Sequence, residues 1–310
     1  MRSSIVALAF LHMLVAAQAP PAQASPAQTS STRGSLGAAS EPADPDACEA
    51  RRPAEGAPAP HALAAAGQAW RIATRRGPVR VWVPDGYEPA AAATVVYVHG
   101  YYVSVDEAWR EHRLPEQFAA SRLNALFIVG GAPEGPRERV TWPSLTRLLA
   151  TVARGVPVEL PAGRVVAIGH SGAHRTLATW LDERRLRTIA LVDAAYDDLA
   201  GYRAWLGRSR HRRLITVGAD TRRRTDRFHR ALPGSRVVEG FPPPAAGTLP
   251  ADVRSARVLY IRASRGHMDL VTDGVALPML LRTLRGPLVG DQPRSSPLVP
   301  LRQPDGDAPC

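Results

Sequence analysis

The sequence predicts an α/β domain built on a mostly parallel central sheet with helices packed on both faces. Short, continuous apolar runs at residues 94–98, 125–129, 165–168, 188–192, 214–217 and 258–261 have the composition of strands buried on both sides. Between them lie segments whose apolar residues recur at helical spacing, so strand and helix alternate along the chain. There is no internal repeat. Such alternation belongs to crossover-connected parallel strands, not to a bundle or a sandwich.

Each element follows from local pattern. Residues 71–83 read as a hairpin turning at Arg76, Gly77 and Pro78, with Val79, Val81 and Val83 alternating as on a half-buried strand. Residues 94–98 are the first buried strand, 114–121 a helix and 125–129 the next strand. Residues 142–153 form a helix with Leu145, Leu148, Leu149 and Val152 on one side. After the strand at 165–168, residues 175–181 place Leu177, Trp180 and Leu181 at helical spacing. The series continues through strand 188–192, helix 202–206, strand 214–217, helix 225–232 and the last clear strand, 258–261, with a terminal helix after residue 267. About twenty residues separate Asp193 from Leu214, short for a functional insertion, so little or no cap is expected.

Composition sets the limits of the domain. Residues 25–69, an Ala/Pro-rich linker, and residues 287–310, a Pro-rich tail, hold too few large apolar side chains to offset their ordering entropy. The folded domain is therefore expected over residues 70–286, an ordinary size for one unit. Residues 1–24 read as a cleavable signal peptide: Arg2 supplies the charge, residues 5–16 an apolar stretch too short for a bilayer, and Ala22-Gln23-Ala24 the small-x-small site. A second such site, Ala17-Gln18-Ala19, is followed by Pro20 and is less suitable. The expected mature protein is secreted or periplasmic, without stable membrane insertion after cleavage.

Cysteine and charge narrow the partners. Cys48 and Cys310 lie one in each tail, and an intramolecular bond, two free thiols or a bridge between molecules all remain open. They are too few for a structural zinc site, and neither metal nor cofactor is expected. The net charge of +11 comes from 39 basic residues that are all Arg, in a chain equally swollen in Ala and Pro, which is the mark of a composition bias. The Arg residues are scattered, with Arg222-Arg223-Arg224 the densest run, whereas a nucleic-acid footprint clusters on one element among stacking aromatics. Nucleic acid is not an expected partner.

The sharpest motif is Val165-Val166-Ala167-Ile168-Gly169-His170-Ser171-Gly172-Ala173-His174, a buried strand running straight into G-H-S-G-A and then a helix. Small residues flank a serine at a sharp turn. This resembles the nucleophile elbow of the α/β-hydrolases, G-x-S-x-G, with Ala173 in place of the last glycine. A structural turn whose serine caps the next helix is the competing reading.

The resemblance extends over roughly residues 79–271 in the order of elements. It implies that His99-Gly100-Tyr101-Tyr102, at the end of the first buried strand, opens the loop that gives one oxyanion donor, with Gly172 giving the other. The loop's donor is Tyr101 or Tyr102, and His99 holds the loop. It implies a base late in the chain, which fits His267 after the final strand; His170, His174, His211 and His229 are worse placed. For the acid two residues stand at strand ends: Asp220, two strands after the serine, and Asp193, one strand after it, with Asp220 narrowly preferred. A group of bacterial hydrolases is similar through Val98-His99-Gly100-Tyr101, residues 124–128, Gly169 to Ala173 and Leu191-Val192-Asp193. The implied activity is hydrolysis of an ester, less readily an amide, in a small-molecule or acyl substrate through an acyl-enzyme on Ser171. Rivals are an acyltransferase using the same intermediate and a hydrolase-fold binding protein without activity.

Overall fold

A computed structural model describes residues 66–289, apart from Asp198, residues 244–246 and Arg285. The expected signal peptide, most of the Ala/Pro-rich linker, most of the C-terminal tail and both cysteines lie outside the described residues.

The chain opens with a hairpin, β1 (Gly67–Ile72) and β2 (Val79–Pro84). Then come β3 (Ala93–Val98), α1 (Val105–Glu111), α2 (Leu114–Ser121), β4 (Ala125–Gly130), α3 (Leu145–Gly155) and β5 (Val165–His170). One 3₁₀ turn, Ser171–Ala173, leads into α4 (His174–Thr179), followed by β6 (Leu186–Val192), α5 (Ala200–Gly207) and β7 (Arg213–Gly218). The last elements are α6 (Arg222–Arg230), β8 (Ser235–Glu239), α7 (Ala251–Ser255), β9 (Val258–Arg262), α8 (Asp269–Thr272) and α9 (Ala276–Arg282).

The nine strands form one sheet in the order β1-β2-β4-β3-β5-β6-β7-β9-β8. β2 runs antiparallel to both β1 and β4, and all other neighbours are parallel. Strands β3, β4 and β5 are buried at every position, as their unbroken apolar sequences require. Their period of two divides the core. Val96, Leu126, Ile128 and Ile189 face Leu148, Leu177, Trp180 and Trp205 on one side, while Val95, Tyr97, Phe127 and Ile215 face Phe118, Leu270 and Leu280 on the other.

Several boundaries differ from the sequence expectation. β1 starts at Gly67, inside the expected linker, because its pairing with β2 runs out to Gly67 opposite Pro84. The helix expected from residue 142 begins at Leu145, after Pro143, where the Ser144 hydroxyl accepts the Arg147 N–H as its cap. α1 was not expected, although Ser104 and Glu107 form its capping box. Neither was β8, a partly exposed strand at the sheet edge. At the other limit, the Pro287 carbonyl accepts the Asn124 N–H and Val289 donates to Arg122, so the start of the expected tail stays paired with the domain.

Among the described residues the connection between β6 and β7 holds one helix, α5, whose Tyr202, Trp205 and Leu206 are buried in the core. It packs against the sheet and builds no roof. Among the described residues no helix is long and apolar enough to cross a membrane. Because β5, β6, β7 and β9 are parallel, their carboxyl ends share one edge, and the candidate residues lie on the turns that leave it.

Candidate active site

Ser171 sits one residue beyond β5 with φ of +53°, a left-handed conformation that non-glycine residues seldom adopt. The turn is made possible by its small neighbours. A Cβ on Gly169 would lie 2.9 Å from Leu177 and 3.1 Å from the Ala173 methyl, so the strand and α4 meet through that glycine. Ala173 itself is fully buried and fits the space, which accounts for the departure from the G-x-S-x-G pattern. A Cβ on Gly172 would lie 2.4 Å from the Tyr101 ring. The serine is left partly exposed at the sheet edge.

The loop after β3 comes up beside it. The His99 Nδ1–H donates to the Gly100 carbonyl at 2.7 Å, and Nε2 accepts the Ala132 N–H at 3.3 Å, which fixes one neutral tautomer and ties the loop to the segment after β4. Burial lowers the His99 pKa, against an opposing contribution from the Gly100 carbonyl. Tyr102 has φ of +65° and a side chain 79% exposed, and its N–H donates to Glu134 at 2.9 Å. That N–H is spent, which leaves Tyr101 as the member of the pair next to Gly172.

Asp193 follows β6 with φ of +44° and is fully buried. Its Oδ2 accepts from His267 Nδ1 at 2.6 Å and from the Asp220 N–H at 3.1 Å. Its Oδ1 accepts the Ala219 and Thr221 N–H groups, each at 2.9 Å, and the Thr221 hydroxyl at 2.6 Å. Burial alone would raise the carboxyl pKa, but the bonds from His267, Thr221 and Ala219 outweigh it and hold the group well below the usual carboxylate range. The narrow preference for Asp220 does not match this geometry. Asp220 is exposed, and the turn that carries it wraps its backbone around the Asp193 carboxylate. Ligand atoms of Asp193, Asp220 and His267 lie within 4.8 Å of one another. Both Asp193 oxygens are already saturated by N–H and O–H donors, so the cluster is built as a hydrogen-bonded dyad with a neighbouring carboxylate.

The imidazole is held at the same edge as Ser171. The His170 ring lies 4.5 Å from the His267 ring between centroids, and its Nε2–H donates to the His267 carbonyl at 3.2 Å. His170 is kept neutral, its pKa pushed down to about 3 by burial and then by His267 and His112 nearby. Tyr196 stands on the open side, its ring 6.4 Å from that of His267 and its pKa raised chiefly by burial.

A cavity of about 470 Å³ opens at this point, lined by Tyr101, Pro136, Ser171, Gly172, Arg175 and Tyr196 among others. Its far wall is fixed by the Arg175 guanidinium, which donates to the Gly135, Pro136 and Glu138 carbonyls at 3.2, 2.7 and 2.8 Å. Tyr196, Arg175 and Thr221 were not found in the sequence. Nothing local marks them, apart from the position of Arg175 on the helix that follows the elbow.

No family model and no curated protein matches the chain. Solved structures similar to it include a feruloyl esterase module from Clostridium thermocellum, at 13% identity over 75% of this chain and 94% of that one, with a TM-score of 0.49. An S-formylglutathione hydrolase from Agrobacterium tumefaciens is similar at 10% identity over 73% and 98%, with a TM-score of 0.48. At these values the likeness transfers no activity and no residue role. The chain's own strand order, with the left-handed serine after β5 and the dyad at the same edge, gives it the α/β-hydrolase fold.

Proposed function

We propose that the protein is an exported serine hydrolase that cleaves an ester bond in a small-molecule or acyl substrate through an acyl-enzyme on Ser171. The observation that carries this reading is the 2.6 Å bond between His267 Nδ1 and the buried Asp193 carboxylate, at the edge where Ser171 stands on a left-handed turn. That bond keeps a proton on Nδ1 and leaves the Nε2 lone pair free.

In this mechanism His267 Nε2 takes the proton from the Ser171 hydroxyl as its oxygen attacks the acyl carbonyl. The new oxyanion is received by the N–H groups of Gly172 and Tyr101, where losing one donor typically costs about 100- to 1,000-fold in rate. His267 then hands its proton to the departing alkoxide. Water enters, loses a proton to the same nitrogen and attacks the acyl carbon; the bond to Ser171 breaks, the acid leaves and His267 returns the proton to the Ser171 oxygen. Asp193 stays ionised throughout and stabilises the imidazolium, which its hydrogen-bonded nest suits it to do. The Arg2 charge, the apolar stretch at 5–16 and the Ala22-Gln23-Ala24 site support export.

The test is labelling with a fluorophosphonate, paired with hydrolysis of p-nitrophenyl esters of graded acyl length. The wild type should be labelled and turn over at least one ester, and Ser171→Ala should do neither while melting cooperatively. A folded wild-type protein that takes no label would end the hydrolase reading and leave a binding role.

A further inference from the structure

The Arg residues that are scattered in sequence are gathered by the fold. At the amino ends of the parallel strands, opposite the serine, lies a cavity of about 380 Å³ lined by Arg164, Arg187, Arg210, Arg212, Arg213 and Arg257, together with His211. Six residues of strand at roughly 3.3 Å each put it about 20 Å from the Ser171 edge. No Asp or Glu is among the described residues that line it.

The arrangement is built. Arg257 donates to the Leu206, Ser209 and Arg212 carbonyls, which holds the turn before β7 and presents Arg210. Arg213 donates to the Ala256 and Thr283 carbonyls. Arg212 is only 9% exposed, lies over the Trp205 ring at 5.2 Å and donates through Nη1 to the Trp205 carbonyl. Its Nε is buried with no hydrogen-bond partner. Burial, then Arg208 and Arg187, lowers its pKa, as expected where like charges crowd together. A nearly buried guanidinium lining a concave space ringed by further guanidiniums calls for an anion.

We propose that this cavity binds a small, multiply charged oxyanion of the phosphate class, held by Arg164, Arg187, Arg210 and Arg212. Guanidinium forks match phosphate oxygens in pairs, and several of them converging on one space suit more than one negative charge. The volume is that of a small-ligand pocket. Single-stranded nucleic acid fits poorly, because the exposed aromatics among the described residues, Tyr102 and Tyr196, lie at the opposite edge.

Calorimetric titration of the folded protein with inorganic pyrophosphate, against sodium chloride at matched ionic strength, tests this. Saturable one-to-one binding is expected, accompanied by a rise in melting temperature. The double variant Arg164→Gln/Arg187→Gln, confirmed as folded by circular dichroism and a cooperative melt without anion, should bind roughly tenfold more weakly or worse. Equal affinity in wild type and variant, or no heat beyond the salt control, would overturn the proposal. The source of the phosphate is separated by sedimentation with phosphatidic acid vesicles. Capture that pyrophosphate does not displace would overturn the small-anion reading, and no capture, or displacement, supports it.

Discussion

His267 and Asp193 are joined at 2.6 Å although 74 residues apart, because β7, between the strands that carry them, sends its exit turn around the carboxylate. The carboxylate that meets His267 is thus held by its neighbours' backbone as much as by its own position.

Exchange of the two aspartates reads out this geometry. Asp193→Asn should lower kcat on a p-nitrophenyl ester by about 10⁴-fold, since the amide cannot keep His267 in the required tautomer. Asp220→Asn, which keeps the N–H that donates to Asp193, should stay within about tenfold of wild type. The opposite ranking would return the acid role to Asp220.

The pH dependence of stability follows from buried histidines. His112 and His229 are pushed down to about 4 and His170 to about 3, in each case chiefly by burial. Since the unfolded chain binds their protons first, below about pH 6.5, their contribution is complete above that value and is lost as pH falls toward the folded values. Asp193, held low, adds a contribution lost only further down, below about pH 3.9. Scanning calorimetry should find the melting temperature lower by roughly 5 °C or more at pH 5 than at pH 7. A flat profile over that interval would contradict the neutral assignment.

Gly172→Ala drives a methyl into the Tyr101 ring, whose nearest atom lies 2.4 Å from where the Cβ would be. Ester turnover should fall by about 100-fold or more as the two oxyanion donors are pushed apart. The second change Tyr101→Ala keeps that residue's N–H and removes the obstacle, so it should recover part of the loss.

Arg175→Lys tests the pocket wall. A single ammonium cannot span the Gly135, Pro136 and Glu138 carbonyls as the planar fork does. KM should rise roughly tenfold with kcat changed by less than about threefold, the signature of lost uniform binding. An equal fall in kcat would instead place Arg175 in transition-state stabilisation.

Much of this was legible in the sequence for a definite reason. Strands such as 94–98 and 165–168 are buried on both faces, so they read as short apolar runs rich in β-branched residues, and the elbow motif sits directly on one of them. β8 was not legible because a half-exposed edge strand has neither a continuous nor a cleanly alternating pattern. The sequence favoured Asp220 only narrowly, because Asp193 and Asp220 both end strands and their local pattern does not separate them. What separates them is the hydrogen bonding of the turn at 219–221, a property of two adjacent strands that neither contains alone. The Arg cluster escaped notice for a related reason, since its members come from four separate strand entrances.

Ser171 and Asp193 share an unusual backbone setting, φ of +53° and +44°, at the tips of adjacent strands. Left-handed geometry costs an L-residue roughly 1–2 kcal/mol, and glycine escapes most of that cost. A chain carrying glycine at 171 should therefore outlast the native one on heating, while lacking the hydroxyl that the proposed mechanism needs. For this fold the serine's left-handed setting is a standing thermodynamic cost, one that the proposed chemistry at that position would account for.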